Sequence, residues 1–223
     1  QGILDVLNEL GIYDDTVIAY TSDHGDACGS HGLRAKLPCV YEEVMGVPLI
    51  MKVPGVTEAG SETDALATHV DLATTLCALG GVDIDDAPTL SGVDLSPALA
   101  DPSASPRDYV FFSQDAAQSD LIANTRYAVR GFFDGETKYA RYYGIGGGVD
   151  RAGKVDQRPK LFGEDAAFED HDHEWYEPAE DPHELINLAN DVGRKGELRE
   201  HFNRLLEIEL AELGDKAGHQ GPS

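Results

Sequence analysis

The sequence predicts an α/β layer followed by a smaller antiparallel unit, and three observations lead there. Short apolar, β-branched runs alternate with helical patterns through about residue 100. The Pro- and Ser-rich stretch 101–106 then breaks the pattern. Beyond it come aromatic runs separated by turn residues, the signature of antiparallel strands. The predicted units are 1–106 and 107–223.

Residues 2–11 set Ile3, Leu4, Val6, Leu7 and Leu10 at helical spacing, with Gly11 where a helix-ending glycine belongs. Thr16–Tyr20 is a short apolar run that reads as a buried parallel strand. The polar cluster Thr21–Asp26 follows at its carboxyl end, where open α/β sheets gather ligands. Val47–Gly55 reads as a second strand stopped by Pro54-Gly55, and residues 69–80 as a helix with Asp71 near its start and Gly80 past its end. In the second unit the runs 109–112, 125–130 and 137–143 read as strands, two of them joined by an Asp134-Gly135 turn. Residues 144–172, rich in Gly and charge, read as an irregular loop. The segment 196–213 is a helix with Leu198, Phe202, Leu205, Leu206, Leu210 and Leu213 on one face and Gly214 at its end. A parallel sheet that opens on a helix lacks its first strands, so the 223 residues are expected to be the C-terminal part of a longer protein.

Charge narrows the partners. Against 17 basic residues stand 41 acidic ones, a formal charge of −24, which repels phosphate backbones and anionic lipid heads. Nucleic acid and membrane surfaces are therefore excluded as expected partners, and no window reaches the ~18 uninterrupted apolar residues of a membrane span. Acid spread along the whole chain resembles proteins adapted to a high-salt interior, where salt screens the mutual repulsion. The expected location is the cytoplasm of a salt-adapted cell, with secretion as the alternative. Cys28, Cys39 and Cys77 form no CxxC pair and read as free thiols.

The residues that carry chemistry begin with Asp23 and His24, adjacent at a strand end beside Gly25. A hard carboxylate oxygen and a neutral imidazole nitrogen presented together can bind a divalent cation. His69, before Asp71 at a helix start, reads as a capping or packing residue. His171 and His173 lie in the acidic stretch Asp170–Glu174 and read as part of a hydrated face.

The run from Ser22 through Lys36, then Tyr41-Glu42-Glu43 and Val47-Pro48-Leu49-Ile50, resembles the sulfatase family of the alkaline-phosphatase superfamily. The matching pattern is SDHG, G-x-H-G-L-x-x-K, Y-E-E and V-P-L-I, in that order. The resemblance continues through His69–Asp83 and through Trp175–Leu188, so it covers most of the chain.

That resemblance implies the C-terminal part of an alkaline-phosphatase-like α/β sandwich with a small antiparallel-sheet plus helix subdomain. It implies that Asp23 and His24 are metal ligands, usually for Ca²⁺ and sometimes for Mg²⁺ or Mn²⁺. Lys36, thirteen residues after Asp23, matches the lysine that touches the sulfate oxygens. His31 occupies a family-typical position, with a substrate-proximal role or a supporting one behind the site. In the Tyr41–Glu43 and Asp181–Leu188 segments the expected roles are architectural, with Glu184 an early-helix acid and Leu185 and Leu188 packing inward. The implied activity is hydrolysis of a small anionic sulfate ester, the present chain alone being inactive. The C/S-x-P-x-R motif that yields formylglycine does not occur in these 223 residues, and it is expected upstream together with the family's N-terminal Asp pair. A phosphodiesterase or phosphonate monoester hydrolase of the same superfamily, or a non-catalytic remnant, are the alternatives.

Overall fold

The computed structural model describes residues 2–36, 38–84, 90–115, 128–143 and 167–214. Its elements, in order, are α1 (Gly2–Glu9), β1 (Ile18–Thr21), α2 (Glu42–Met45), β2 (Leu49–Lys52), α3 (His69–Leu79), α4 (Ser96–Ala100), β3 (Val110–Asp115), β4 (Ala128–Phe133), β5 (Lys138–Tyr143), β6 (Asp172–Tyr176) and α5 (Lys195–Leu213). They fall into two compact units, residues 1–25 with 46–108, and residues 26–45 with 109–223. No described helix is long and apolar enough to cross a membrane.

In the first unit β1 and β2 pair antiparallel, with Ile18 opposite Lys52 and Thr21 opposite Leu49. This corrects the parallel strand expected at Thr16–Tyr20. The chain comes back to β1 in the opposite sense after the long excursion 22–48, a geometry that needs no crossover helix. Nor is the pair buried on both faces, since the partners Tyr20 and Ile50 are 63% and 64% exposed. The apolar stripe of α1 is present as predicted, but Ile3, Val6 and Leu10 are exposed.

Helix α3 starts at a capping box. The Thr68 side chain takes the Asp71 backbone N–H, and the Asp71 carboxylate accepts the Thr68 N–H at 2.8 Å. Asp71 is fully buried, and its other oxygen accepts the Val93 N–H at 2.9 Å and the Arg107 guanidinium at 2.5 Å. Gly92 makes this possible, because a Cβ there would stand 2.1 Å from the Val70 carbonyl oxygen. Thr75, one turn further on, accepts the Leu95 N–H at 2.9 Å, so the 92–95 segment is stitched along α3.

The second unit is built on a four-stranded antiparallel sheet in the order β3-β4-β5-β6. Its two faces follow strand parity. Phe132, Tyr139 and Trp175 point one way and pack on Leu198, Phe202, Leu205 and Ile208 of α5. Val129, Ala140 and Tyr176 point the other way and pack on Val40 and Tyr41. The segment 26–45 thus forms a layer of this unit, although it lies in sequence between β1 and β2. The Asp134-Gly135 hairpin joins β4 to β5 as expected, with Gly135 at φ 93.

Three readings of this unit are corrected. Residues 172–176 form edge strand β6, and His171 is buried beside Phe202 and Arg141, so the stretch is no hydrated face. Glu184 is a buried residue in left-handed backbone (φ 50), ion-paired to Lys138 at 2.5 Å, in place of an early-helix acid. Leu185 is 72% exposed, whereas Leu188 does pack on the core. The predicted loop 144–172 lies outside the described residues up to 166.

Candidate functional site

In the first unit, Asp23 and His24 follow directly on β1, where the strand ends and backbone groups become free to turn. The Asp23 Oδ1 accepts the His24 backbone N–H at 3.0 Å, which folds the carboxylate toward the neighbouring ring. His24 Nδ1 stands 2.7 Å from the Gly25 carbonyl oxygen, so that nitrogen carries the proton and donates. The lone pair is thereby left on Nε2, which lies 3.4 Å from Asp23 Oδ2. A ring N–H donated to a backbone carbonyl is the second contact that metal-binding histidines commonly make. The donor set, one hard oxygen and one imidazole nitrogen, fits a divalent cation. Asp23 is 82% exposed, so a cation would reach it without opening the fold. Among the described residues no group of three or more His, Cys, Asp and Glu could hold a metal, so Asp23 and His24 by themselves would be a partial donor set.

His69 belongs to the same unit and was legible only as a helix-start residue. Its Nε2 lies 2.7 Å from the carbonyl oxygen of Ser22, the residue before Asp23. Ser22 in turn donates its hydroxyl to the His24 carbonyl at 2.9 Å. The first turn of α3 therefore fastens the turn that carries Asp23 and His24. A histidine 45 residues beyond His24 gives no local signal of such a contact.

His31 and Lys36 lie in the second unit, on the loop 26–36. The left-handed backbone that a sharp bend needs falls here, beyond Gly25, at Cys28 (φ 48), Gly29 (φ 106), His31 (φ 53), Gly32 (φ 71) and Ala35 (φ 60). Backbone bonds close the loop on itself: Gly29 N–H to Leu33 O at 2.9 Å, Leu33 N–H to Ser30 O at 2.9 Å, and Ser30 N–H to Ala27 O at 2.7 Å. Lys36 stands just past it, exposed. His31 is not exposed: its side chain keeps 10% of its surface, stacked on Tyr41 at 3.7 Å between centroids and 8° between planes.

Below Tyr41 the sheet holds a half-buried acid, Glu174. Tyr142 donates its hydroxyl to Glu174 at 2.8 Å and Tyr41 reaches the other carboxylate oxygen at 3.5 Å. Burial pushes the Glu174 carboxyl above the usual carboxylate range, more than the Tyr142 hydrogen bond pulls it down. Beside it, Glu184 accepts the Glu42 backbone N–H at 2.8 Å, and Lys138 donates to Glu42 at 2.9 Å. The Tyr41–Glu43 and Asp181–Leu188 segments, read as architectural, are thus bound to each other through Lys138 and Glu184.

The sulfatase family model matches residues 1–82. An N-acetylglucosamine-6-O-sulfatase from Bacteroides thetaiotaomicron is 36% identical over 107 residues, 48% of this chain and 19% of that protein. A solved structure in complex with its substrate D-glucosamine-2-N,6-O-disulfate superposes with a TM-score of 0.75 at 22% identity, over 99% of this chain and 39% of the other. A phosphonate monoester hydrolase from Agrobacterium radiobacter superposes with a TM-score of 0.69 at 23% identity, over 97% and 39%. The chain spans less than half the length of each of these three proteins. Its α/β architecture is that of the alkaline-phosphatase-like fold, and residues 1–82 are similar to the sulfatase family.

Proposed function

We propose that the protein to which this chain belongs hydrolyses a sulfate ester of a small alcohol or sugar, with a divalent cation, Ca²⁺ before Mg²⁺ or Mn²⁺, held in part by Asp23 and His24. The observation that carries the reading is the Asp23–His24 pair, whose Nδ1 is engaged by Gly25 and whose Nε2 and Oδ2 lie 3.4 Å apart, within the stretch that matches the sulfatase model. When bound, the cation would offset negative charge on the ester oxygens. Lys36, exposed and bearing no other assigned role, is the local cation for the anion in a chain of −24 charge; it would hold the sulfate and steady the leaving oxygen. Gly25 keeps the proton on His24 Nδ1, and His69 holds the Ser22 carbonyl, so neither ligand needs to reorganise. The C/S-x-P-x-R motif that yields the formylglycine nucleophile of the family does not occur in these 223 residues.

A phosphonate or phosphate ester hydrolase remains the second reading, because solved phosphonate monoester hydrolases share the fold. Turnover of aryl sulfate and aryl phosphate esters by the natural full-length protein separates the two, the sulfate being expected to react faster. Asp23→Ala and Lys36→Ala should each lower sulfate turnover by two or more orders of magnitude while the melting temperature holds. Undiminished turnover in both would end the assignment.

A further inference from the structure

We propose that Tyr41 and Glu43 are positioning residues: together they clamp His31, and through it they hold the 27–35 loop so that Lys36 is presented in one place. The inference rests on the assignment of Lys36 to the ester anion and deepens it. It gives His31 a supporting task in place of contact with substrate.

The geometry supplies the argument. The loop carries three non-glycine residues in left-handed backbone, Cys28, His31 and Ala35, a conformation that persists where surrounding contacts over-determine it. Its own backbone bonds close it but do not anchor it. The anchor is His31, whose ring lies flat on Tyr41 and whose Nε2 stands 3.5 Å from Glu43 Oε2. The residue between the two clamps, Glu42, is itself pinned by Lys138 and by Glu184, and Tyr41 packs on the sheet residues Val129, Ala140 and Tyr176. A rigid sheet face thus reaches the loop through two side chains, and Ala35, whose carbonyl accepts the Ala27 N–H, passes that fixed geometry to Lys36. A small misplacement of a charge-stabilising group costs a large factor in rate.

The test uses the natural full-length protein and two readouts. The first is amide hydrogen exchange at Gly29, Ser30 and Leu33. Tyr41→Leu and Glu43→Gln should each speed it by about tenfold, whereas Tyr41→Phe, which keeps the stacked ring, should not. Unchanged exchange in both Tyr41→Leu and Glu43→Gln overturns the clamp. The second is a double-mutant cycle on kcat/KM with an aryl sulfate. Tyr41→Leu should cost about tenfold to a hundredfold alone, and far less in a Lys36→Ala background, since the position of an absent lysine no longer matters. Full additivity overturns the link to Lys36. Should Lys36→Ala alone leave turnover intact, the assignment of Lys36 to the anion falls and the positioning role with it, while the exchange readout still decides the clamp. Glu43→Gln serves where Tyr41→Leu lowers folding, because Glu43 lies outside the packed core.

Discussion

Arg141 on β5 and Glu209 on α5 form a buried fork: the guanidinium donates from Nη2 to both carboxylate oxygens, at 2.8 and 2.6 Å, and from Nε at 3.2 Å. Both side chains are essentially inaccessible, so the pair locks the register of α5 on the sheet by mutual need. Removing one partner leaves a charge without its main counterion in a dry interior, which costs about 3–5 kcal/mol. Glu209→Ala should therefore lower stability by that amount in urea titration, well beyond an exposed Glu207→Ala control. Replacing both residues by Met should recover much of the loss.

Asp71 does the work of an architectural hub in the first unit, not of a ligand. Its carboxylate closes the α3 cap, accepts Val93 and binds Arg107, all while fully buried. Asp71→Ala should cost about 3 kcal/mol or more, since it strands a buried guanidinium and two backbone donors at once. Thr68→Ala removes the cap alone and should cost about 1 kcal/mol. Equal losses in the two variants would show that the Arg107 contact contributes nothing.

His69 offers a sharper check on the turn at Asp23. Its hydrogen bond to the Ser22 carbonyl fixes the backbone beside both proposed ligands. In His69→Ala, Ca²⁺ affinity measured by calorimetry should fall about tenfold to a hundredfold, the range seen when a residue behind a metal site is removed. His183→Ala, remote in sequence and without such a contact, should leave affinity unchanged.

Acid sensitivity is expected at the β4–β5 hairpin. Burial alone would raise the Asp134 carboxyl, but the Thr137 and Glu136 backbone N–H groups and the Arg204 guanidinium hold it below the usual Asp range. A depressed carboxyl binds fewer protons folded than unfolded. Its stabilisation is thus complete above the unfolded Asp value of about 3.9 and is lost as pH falls through the lower folded value. Asp134→Asn should lower stability at pH 7 and leave a shallower loss between about pH 4 and pH 2. Parallel acid limbs in variant and parent would refute the contribution.

Salt should stabilise the protein. With 41 acidic residues against 17 basic, repulsion opposes the compact state at low ionic strength, and the Debye length shrinks from ~10 Å at 0.1 M to ~3 Å at 1 M. The melting temperature should rise steadily from 0.1 to 2 M KCl (about the range over which screening becomes complete). A flat or falling curve would remove the basis for placing the protein in a high-salt interior.

The local periodicities of the sequence were enough to locate α1, α3, α5 and the antiparallel strands β3, β4 and β5, though not β6, because helical stripes and strand alternation are properties of neighbours in the chain. The motifs likewise point to Asp23, His24, His31 and Lys36 as candidates. What they left open depended on distant partners. Thr16–Tyr20 showed an apolar run, but the sense of pairing and the exposure of Tyr20 came from β2, some thirty residues away. His171 and His173 sat among acids and looked hydrated, until α5 folded over them. Glu184 read as a helix acid because its partner Lys138 lies 46 residues earlier. Burial, and with it the meaning of a charged or aromatic side chain, is set by which segments meet across the sheet, a long-range packing choice that composition and spacing do not encode.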